Sequence, residues 1–205
     1  MIHANLRSPC FIITWIFFYL REVIIMADTF SIWLEEFSKK VEEFKKRSAQ
    51  IINNSDDIYN AMDIAAYVIN KSIDNNHPVS NLKLQKLLYY IQAASLVCRN
   101  KELFKDDILA WQYGPVVERV YNEYKYYSRY NILDKVNCNV EIDNESTEII
   151  DRVLDAKANF TAYSLVDATH KEKPWIETNL GDVINKESMK EYFKDNEERI
   201  WSRKK

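Results

Sequence analysis

Apolar residues recur at steps of three and four along most of this 205-residue chain, and this period constrains its fold more than any other feature. Such steps place apolar side chains on one face of a helix, which has 3.6 residues per turn. The longest stripe comprises Leu84, Leu87, Leu88, Ile91, Ala94 and Cys98. We expect Cys98 to be a small core residue on this stripe, with Lys83 and Lys86 off it. The pattern predicts a mainly α fold, in the form of a compact helical domain.

Polar residues at the edges of these stripes predict where helices begin and end. A helix starting at Ala61 should end before Asn75. Ser and Thr side chains cap first-turn N–H groups, and we expect such caps at Ser80, at Ser146 or Thr147, and at Thr161. Pro115 fits the first position of another helix, since its missing N–H has no partner there anyway. A last helix is predicted from about Glu187 to Ser202.

Two stretches have features of short strands. The Trp-x-Tyr sequence from Trp111 to Tyr113 is typical of either a short strand or an extended loop. Residues 131–144 contain an alternation at Val136, Cys138, Val140 and Ile142 that predicts a brief strand. One or two short strands therefore accompany the helices.

The N-terminal part of the chain differs from the rest. Residues 1–25 contain an unbroken apolar run from Cys10 to Leu20, too short for the ~20 residues that cross a membrane as a helix. Three interpretations stay open: a membrane or interface anchor, a buried helix, and a start site placed upstream of the true start at Met26. Residues 26–57 are predicted to form an amphipathic helix and a linker, the helical stripe being Phe30, Leu34, Phe37, Val41 and Phe44. Residues 58–180 form the main domain, and residues 181–205 a C-terminal helix and basic tail.

Glycine is scarce, and this excludes a large class of functions. Only Gly114 and Gly181 occur, where average usage would give roughly fourteen. Loops that cradle phosphates need several glycines to bring backbone N–H groups close to the ligand. Nucleotide-dependent chemistry of the common kinds is therefore excluded, and we expect no cofactor.

Charge, cysteine and histidine positions argue against the other common site types. The net charge of −3 disfavours nucleic acid as a partner. Three separated cysteines without a C-x-x-C pair indicate free thiols in a reducing compartment, so we expect a cytoplasmic protein. The three histidines share no helical turn, so no zinc motif is present and no metal site is predicted. We predict no catalytic site; a Cys98–His170 nucleophile pair is the enzymatic alternative.

A tyrosine-rich stretch from Tyr121 to Tyr130 contains the cations Lys125 and Arg129. Aromatic residues between cations stack on single-stranded nucleic acid in some proteins and form protein interfaces in others. Ordinary helix packing accounts for them equally well. A regulator that binds operon DNA through this stretch is therefore a second alternative.

Three blocks in order resemble a known family. They are KLQKLLYY at residues 83–90, WQYGPVV at residues 111–117, which continues to Val120 and Tyr121, and THKEKPW at residues 169–175. Together they resemble the Panacea domain of SocA-like antitoxins, long described as phage-associated proteins. The likeness extends from about Met62 to Trp175, so we assign the main domain, residues 58–180, to this family.

The resemblance implies a function as an antitoxin, often prophage-encoded, that neutralises its cognate toxin by direct protein–protein binding. The toxin would be encoded by an adjacent gene, and some relatives act as adaptors that deliver it to a protease. Segments outside the shared domain, here 29–54 and the tail after Gly181, would set specificity. Motif residues that stabilise the fold or line the partner-binding surface are Lys86, Trp111, Tyr113, Gly114, Pro115, His170 and Trp175.

Overall fold

The structure, a computed structural model, describes residues 34–43, 58–138 and 140–203. The chain divides into two units, Met1–Ser55 and Asp56–Lys205. In the first unit residues 34–43 are helical, and Leu34, Phe37 and Val41 of the predicted stripe are all exposed. The hypotheses on residues 1–25, the rest of the stripe and the linker lie outside the described residues. No helix in the described ranges has the length and apolarity needed to cross a membrane.

The second unit is mainly helical, as predicted. Its described helices are α1 (Ala61–Asp74), α2 (Asn81–Arg99), α3 (Glu118–Tyr124), α4 (Asn144–Lys157), α5 (Ala162–Thr169), α6 (Lys173–Ile176), α7 (Lys186–Lys194) and α8 (Glu198–Trp201), with a 3-10 helix at Lys125–Tyr127. The strands are β1 (Leu109–Trp111) and β2 (Gly114–Val116).

Helix α2 is the centre of this unit and packs against α1, α4, α5 and α7. Ser80 caps its first turn as predicted, accepting a hydrogen bond from the backbone N–H of Lys83. Most of α2 is buried all round, including the polar residues Gln85, Lys86 and Gln92, so placing Lys86 away from the core was wrong. The expectation for Cys98 was also wrong: its side chain is exposed, because neighbouring helices do not cover that side of the last turn.

The β-hairpin replaces the helix start that Pro115 predicted. Strands β1 and β2 pair antiparallel with Leu109 opposite Val116 and Trp111 opposite Gly114. Pro115 therefore lies in β2, and α3 begins only at Glu118. Proline is tolerated there because it lacks only the N–H, while its carbonyl still accepts a hydrogen bond. Of the two alternatives for residues 111–113, the strand is correct for Trp111, and the turn of the hairpin follows it.

Two further predictions on helix ends differ from the structure, while the cap at Thr161 is confirmed. Asp143 caps α4 in place of Ser146 or Thr147, because its carboxylate accepts from the Ser146 N–H at 2.8 Å. The predicted last helix is divided into α7 and α8. Near this break the Asn196 side chain donates to the Tyr192 carbonyl, an interaction that competes with continuous helix.

The brief strand predicted in residues 131–144 is not formed in the described part of that stretch, which has only an isolated bridge between Ser80 and Asn131. The Asn70 side chain takes the place of a neighbouring strand for Val136. Its amide donates to the Val136 carbonyl at 2.8 Å and accepts from the Val136 N–H at 2.9 Å.

Candidate functional site

The three sequence blocks that carry the resemblance meet at one point in the structure. Lys86 of α2, Gly114 of β2 and Thr169 of α5 come from different blocks and lie side by side. A Cβ atom placed on Gly114 would stand 2.7 Å from Thr169 Oγ1 and 2.9 Å from Lys86 Cε. These distances are shorter than real Cβ contacts, so any other residue at position 114 would force Thr169 or Lys86 to move. We call this contact the hairpin junction.

Lys86 holds the hairpin at this junction from inside the protein. Its side chain is fully buried, and Nζ donates a hydrogen bond of 2.8 Å to the Pro115 carbonyl. No carboxylate in the described part of the chain forms an ion pair with it. Burial without a counter-ion lowers the pKa of Lys86 to about 7. The residue is therefore a structural donor at the junction, with its charge suppressed by its surroundings.

Gln85, one residue earlier, secures the other end of β2. Its side-chain oxygen accepts from the Val117 N–H at 2.9 Å, and its amide donates to Asn81 Oδ1 at 2.8 Å. Asn81 in turn donates to the Tyr121 carbonyl of α3 at 3.0 Å. The hairpin's C-terminal strand is thus tied to α2 at two points, the Pro115 carbonyl and the Val117 N–H. The sequence analysis missed Gln85, although an amide within an apolar helix was a usable signal.

A cluster of aromatic side chains forms around Trp111 of β1. The Trp175 indole N–H donates to the Trp111 carbonyl at 3.1 Å, and its ring stacks on His170 at a centroid distance of 4.1 Å. Trp111 also meets Tyr121 edge to face at 5.0 Å. Partial burial, and then the nearby Lys86, lower the pKa of His170. His170 is therefore predominantly neutral near pH 7, and it packs as an aromatic ring.

A second buried polar group links the third block to the end of the chain. Glu172 is fully buried and accepts a hydrogen bond of 2.9 Å from the Tyr90 hydroxyl. Burial raises the pKa of Glu172 to about 7. Lys157 lies over the Tyr90 ring at 4.7 Å and donates to the Arg199 carbonyl of α8 at 2.6 Å. This group, also missed from sequence, positions the segment that leads into Trp175.

Exposed apolar side chains occur in the hairpin turn, at the end of α6 and in the segment that follows α6. Residues 181–184 run along the free side of β1, where Gly181 N–H donates to the Ala110 carbonyl at 2.7 Å and Ala110 N–H donates to the Asp182 carbonyl at 2.9 Å. The side chains of Tyr113, Ile176, Leu180 and Val183 are 58%, 55%, 67% and 48% exposed. With the half-buried Trp111 and Trp175, these four residues define the hairpin surface.

The predicted site residues separate into two groups. Lys86, Gly114 and Pro115 are buried and support the hairpin from within. Trp111, His170 and Trp175 are half-buried, and Tyr113 is exposed at the turn. The sequence blocks thus contain both the support and part of the surface. A role in binding a partner remains a prediction for this set.

The positions of Cys98, His170 and the tyrosine-rich stretch bear on the two alternative functions, an enzyme with a Cys98–His170 pair and a DNA-binding regulator. Partial burial raises the pKa of the Cys98 thiol, whereas a nucleophilic cysteine needs it lowered. His170 lies near Lys86, which is twelve residues from Cys98, or about 18 Å along α2.

In the tyrosine-rich stretch, Tyr124 is buried, while Tyr126 and Tyr130 are exposed and Arg129 lies over the Tyr130 ring. The described residues contain no group of three His, Cys, Asp or Glu side chains that could hold a metal ion.

Comparison with known proteins identifies the class. Residues 84–176 match the family described as Antitoxin SocA-like, Panacea domain. That range contains the hairpin junction and ends at Ile176, so residues 84–176 resemble the Panacea domain of SocA-like antitoxins, as the three blocks predicted. One curated relative is Antitoxin SocA of Caulobacter vibrioides (strain NA1000 / CB15N), 32% identical over 124 residues. The match spans 55% of this chain and 66% of that relative. No solved structure matches the chain significantly.

The two glycines provide a matched test of the junction. Both have left-handed backbone angles, φ +91° at Gly114 and φ +93° at Gly181, but a Cβ on Gly181 would meet nothing within 4 Å. We expect Gly181→Ala to lower the free energy of unfolding by about 1–2 kcal/mol through backbone strain alone. Gly114→Ala should lose roughly 1–3 kcal/mol more, because its neighbours must move. Urea denaturation of the two variants measures the difference, and equal losses would show that the junction is loosely packed.

The lowered pKa of Lys86 predicts a pH dependence of stability. Between pH 7 and the ordinary value of 10.5 the unfolded chain keeps a proton that folded Lys86 has released. Lys86 therefore makes the free energy of unfolding rise with pH across this window, by at most about 1.4 kcal/mol per pH unit. Lys86→Met should reduce this slope between pH 7.5 and 9.5 in urea denaturation. The exposed Lys171→Met is the control and should leave the slope unchanged; an unchanged slope in Lys86→Met would contradict the assignment.

Proposed function

We propose that this chain is an antitoxin that neutralises a toxin protein, encoded by an adjacent gene, by binding it directly through the hairpin surface. The match of residues 84–176 to the SocA-like family and the name of the Caulobacter relative support the antitoxin role. The geometry of the hairpin surface supports binding as the means. Neutralisation would then be stoichiometric and would need no catalytic residue.

The observation that carries this proposal is the contrast between a fixed interior and an exposed exterior at the same hairpin. Tyr113 and Ile176 are more than half exposed, whereas Lys86 and Gln85 immediately beneath the hairpin are fully buried and hydrogen-bonded. Clustered exposed apolar side chains mark binding surfaces, and Tyr and Trp are enriched among residues that dominate interface energies. A surface held in one geometry before binding also loses less conformational entropy when the partner arrives.

Growth of cells tests this function directly. The adjacent gene is expressed alone, and then together with this chain supplied from a second plasmid. The proposal expects the neighbouring product to stop growth and this chain to restore it. Toxicity that persists although both proteins are made and soluble would refute neutralisation. Restored growth with no complex in a pull-down would instead refute direct binding.

Two isoleucines provide a matched test of the surface. Ile176 lies on the hairpin surface and is 55% exposed, whereas Ile58 is 47% exposed and precedes the bridge between Tyr59 and Phe104. We expect Ile176→Ala to weaken toxin binding at least about tenfold, equivalent to about 1.4 kcal/mol, and to reduce growth rescue. Ile58→Ala should leave affinity within about twofold. Calorimetric titration with the toxin measures both; equal effects would remove the hairpin surface from the interface.

A further inference from the structure

Residues 182–184 pair with β1 on one side and leave the other side of this segment as an open sheet edge. Leu109 and Val183 form an antiparallel bridge, and the hydrogen bonds on either side of it are Ile184 N–H to the Ile108 carbonyl at 2.8 Å and Ala110 N–H to the Asp182 carbonyl at 2.9 Å. In antiparallel pairing, successive residues direct their backbone groups to opposite sides. The N–H and carbonyl of Val183 therefore point away from β1.

Nothing in the described ranges pairs with these two groups. The backbone N–H and carbonyl of Val183 have no hydrogen-bond partner among the described residues, and residues 179–183 are all exposed. The other outer edge of this small sheet is closed, because β2 is bound by Lys86 and Gln85 of α2. An unpaired edge with exposed apolar neighbours is a template for an additional strand.

The charged side chains in the segment along this edge are all acidic. Residues 174–185 contain the acids Glu177 and Asp182 and no lysine or arginine, and the hairpin at 109–117 is uncharged. Glu177 and Asp182 form no ion pair within the described residues, and both are exposed. In sequence, the basic side chains that flank this stretch are Lys173, at the start of α6, and Lys186, which is paired with Glu102 at 2.7 Å. A segment complementary to this edge would therefore carry basic as well as apolar side chains.

We propose that the edge at Val183 receives an extended segment of the toxin, basic and apolar in composition, as an added antiparallel or parallel strand. This inference rests on the proposed antitoxin function and names the part of the toxin that is recognised. The main-chain groups of Val183 supply two hydrogen bonds, and Ile176, Leu180 and Val183 cover apolar side chains of the segment. Glu177 and Asp182 attract its cations.

A proline substitution tests how much the backbone N–H of Val183 contributes to toxin binding. Val183→Pro removes an outward N–H that no described residue uses; it also fixes φ at this position, which sheet edges tolerate. Val183→Thr is the matched control, because it keeps the N–H and the branched shape. The probe is the purified product of the adjacent gene. We expect Val183→Pro to weaken its binding at least about tenfold and Val183→Thr to stay within about threefold, with both variants melting within a few degrees of wild type.

Hydrogen exchange keeps the test valid if Val183→Pro fails to fold. In the wild-type chain, exchange at the Val183 amide should slow at least about tenfold when the toxin is bound. Unchanged exchange at this amide in a saturated complex would overturn the proposal, as would wild-type affinity of a folded Val183→Pro. The paired change Glu177→Gln with Asp182→Asn should also weaken binding and flatten its dependence on salt.

The outcomes separate this inference from the function on which it rests. If wild type binds and neutralises the toxin but Val183→Pro does the same, only the added strand is refuted. If wild type neither binds nor neutralises it, the proposed function fails and the inference with it. If Val183→Pro only converts a dimer to a monomer, or if deletion of residues 1–25 by itself speeds exchange at the Val183 amide, the occupant is this chain itself and the proposal is wrong.

Discussion

The buried hydrogen bond between Lys86 and the Pro115 carbonyl is the interaction on which the site depends. An amine without a counter-ion in the core is unfavourable unless it is hydrogen-bonded, and its loss of charge reduces that penalty. The bond is reached only because Gly114 lacks a Cβ, which allows the Lys86 stem and Thr169 to approach the strand. The position of the hairpin relative to α2 and α5 therefore follows from three buried residues, Lys86, Gly114 and Thr169.

Helix α2 uses buried polar side chains to hold connecting segments on both of its sides. Gln85 binds the strand end at Val117, and Gln92 binds the chain at Leu103 and Phe104, where its oxygen accepts two N–H groups and its amide donates to a carbonyl. Buried polar groups that are fully paired restrict a structure to one arrangement, because any shift leaves a donor or acceptor without a partner. The hairpin surface thus rests on a support with little freedom to rearrange.

The buried residues that hold the hairpin lie within the family match, whereas the hairpin surface lies only partly within it. The family match ends at residue 176, and the supports Gln85, Lys86, Gly114 and Thr169 all lie inside it. Leu180 and Val183, which extend the hairpin surface, lie beyond its end. A shared support combined with a separate edge segment is a physical means by which one domain can meet different toxins, consistent with the expectation that the tail after Gly181 influences specificity.

Much of the fold was predictable because helices follow local rules. The face of α2 and the caps at Ser80 and Thr161 depend on neighbours within one or two turns. Cys98 and Lys86 were misjudged because burial of a helix on several sides depends on how many helices surround it, which periodicity does not reveal. Pro115 fits a strand or a helix start equally well by φ alone.

The site was only partly predictable for a related reason. Motif letters identified Lys86, Gly114 and Trp175, but they did not separate buried supports from exposed residues. Leu180 and Val183 were missed because their place beside the hairpin depends on the return of residues 181–184 along β1, a pairing between positions more than seventy residues apart. Glu172 was inside a block, yet its burial beside Tyr90 depends on α2, α5 and α8 together.

The central claim, that the toxin lies on the hairpin surface, is tested most directly by photo-crosslinking. A benzophenone amino acid placed at Tyr113 reports which protein lies within a few ångströms of the hairpin turn, and the same group at Ile58 reports the control position. The account predicts a covalent adduct between the two chains from position 113 and none from position 58 when the complex is irradiated. An adduct from position 58 alone, in a complex that forms normally, would place the toxin elsewhere and contradict it.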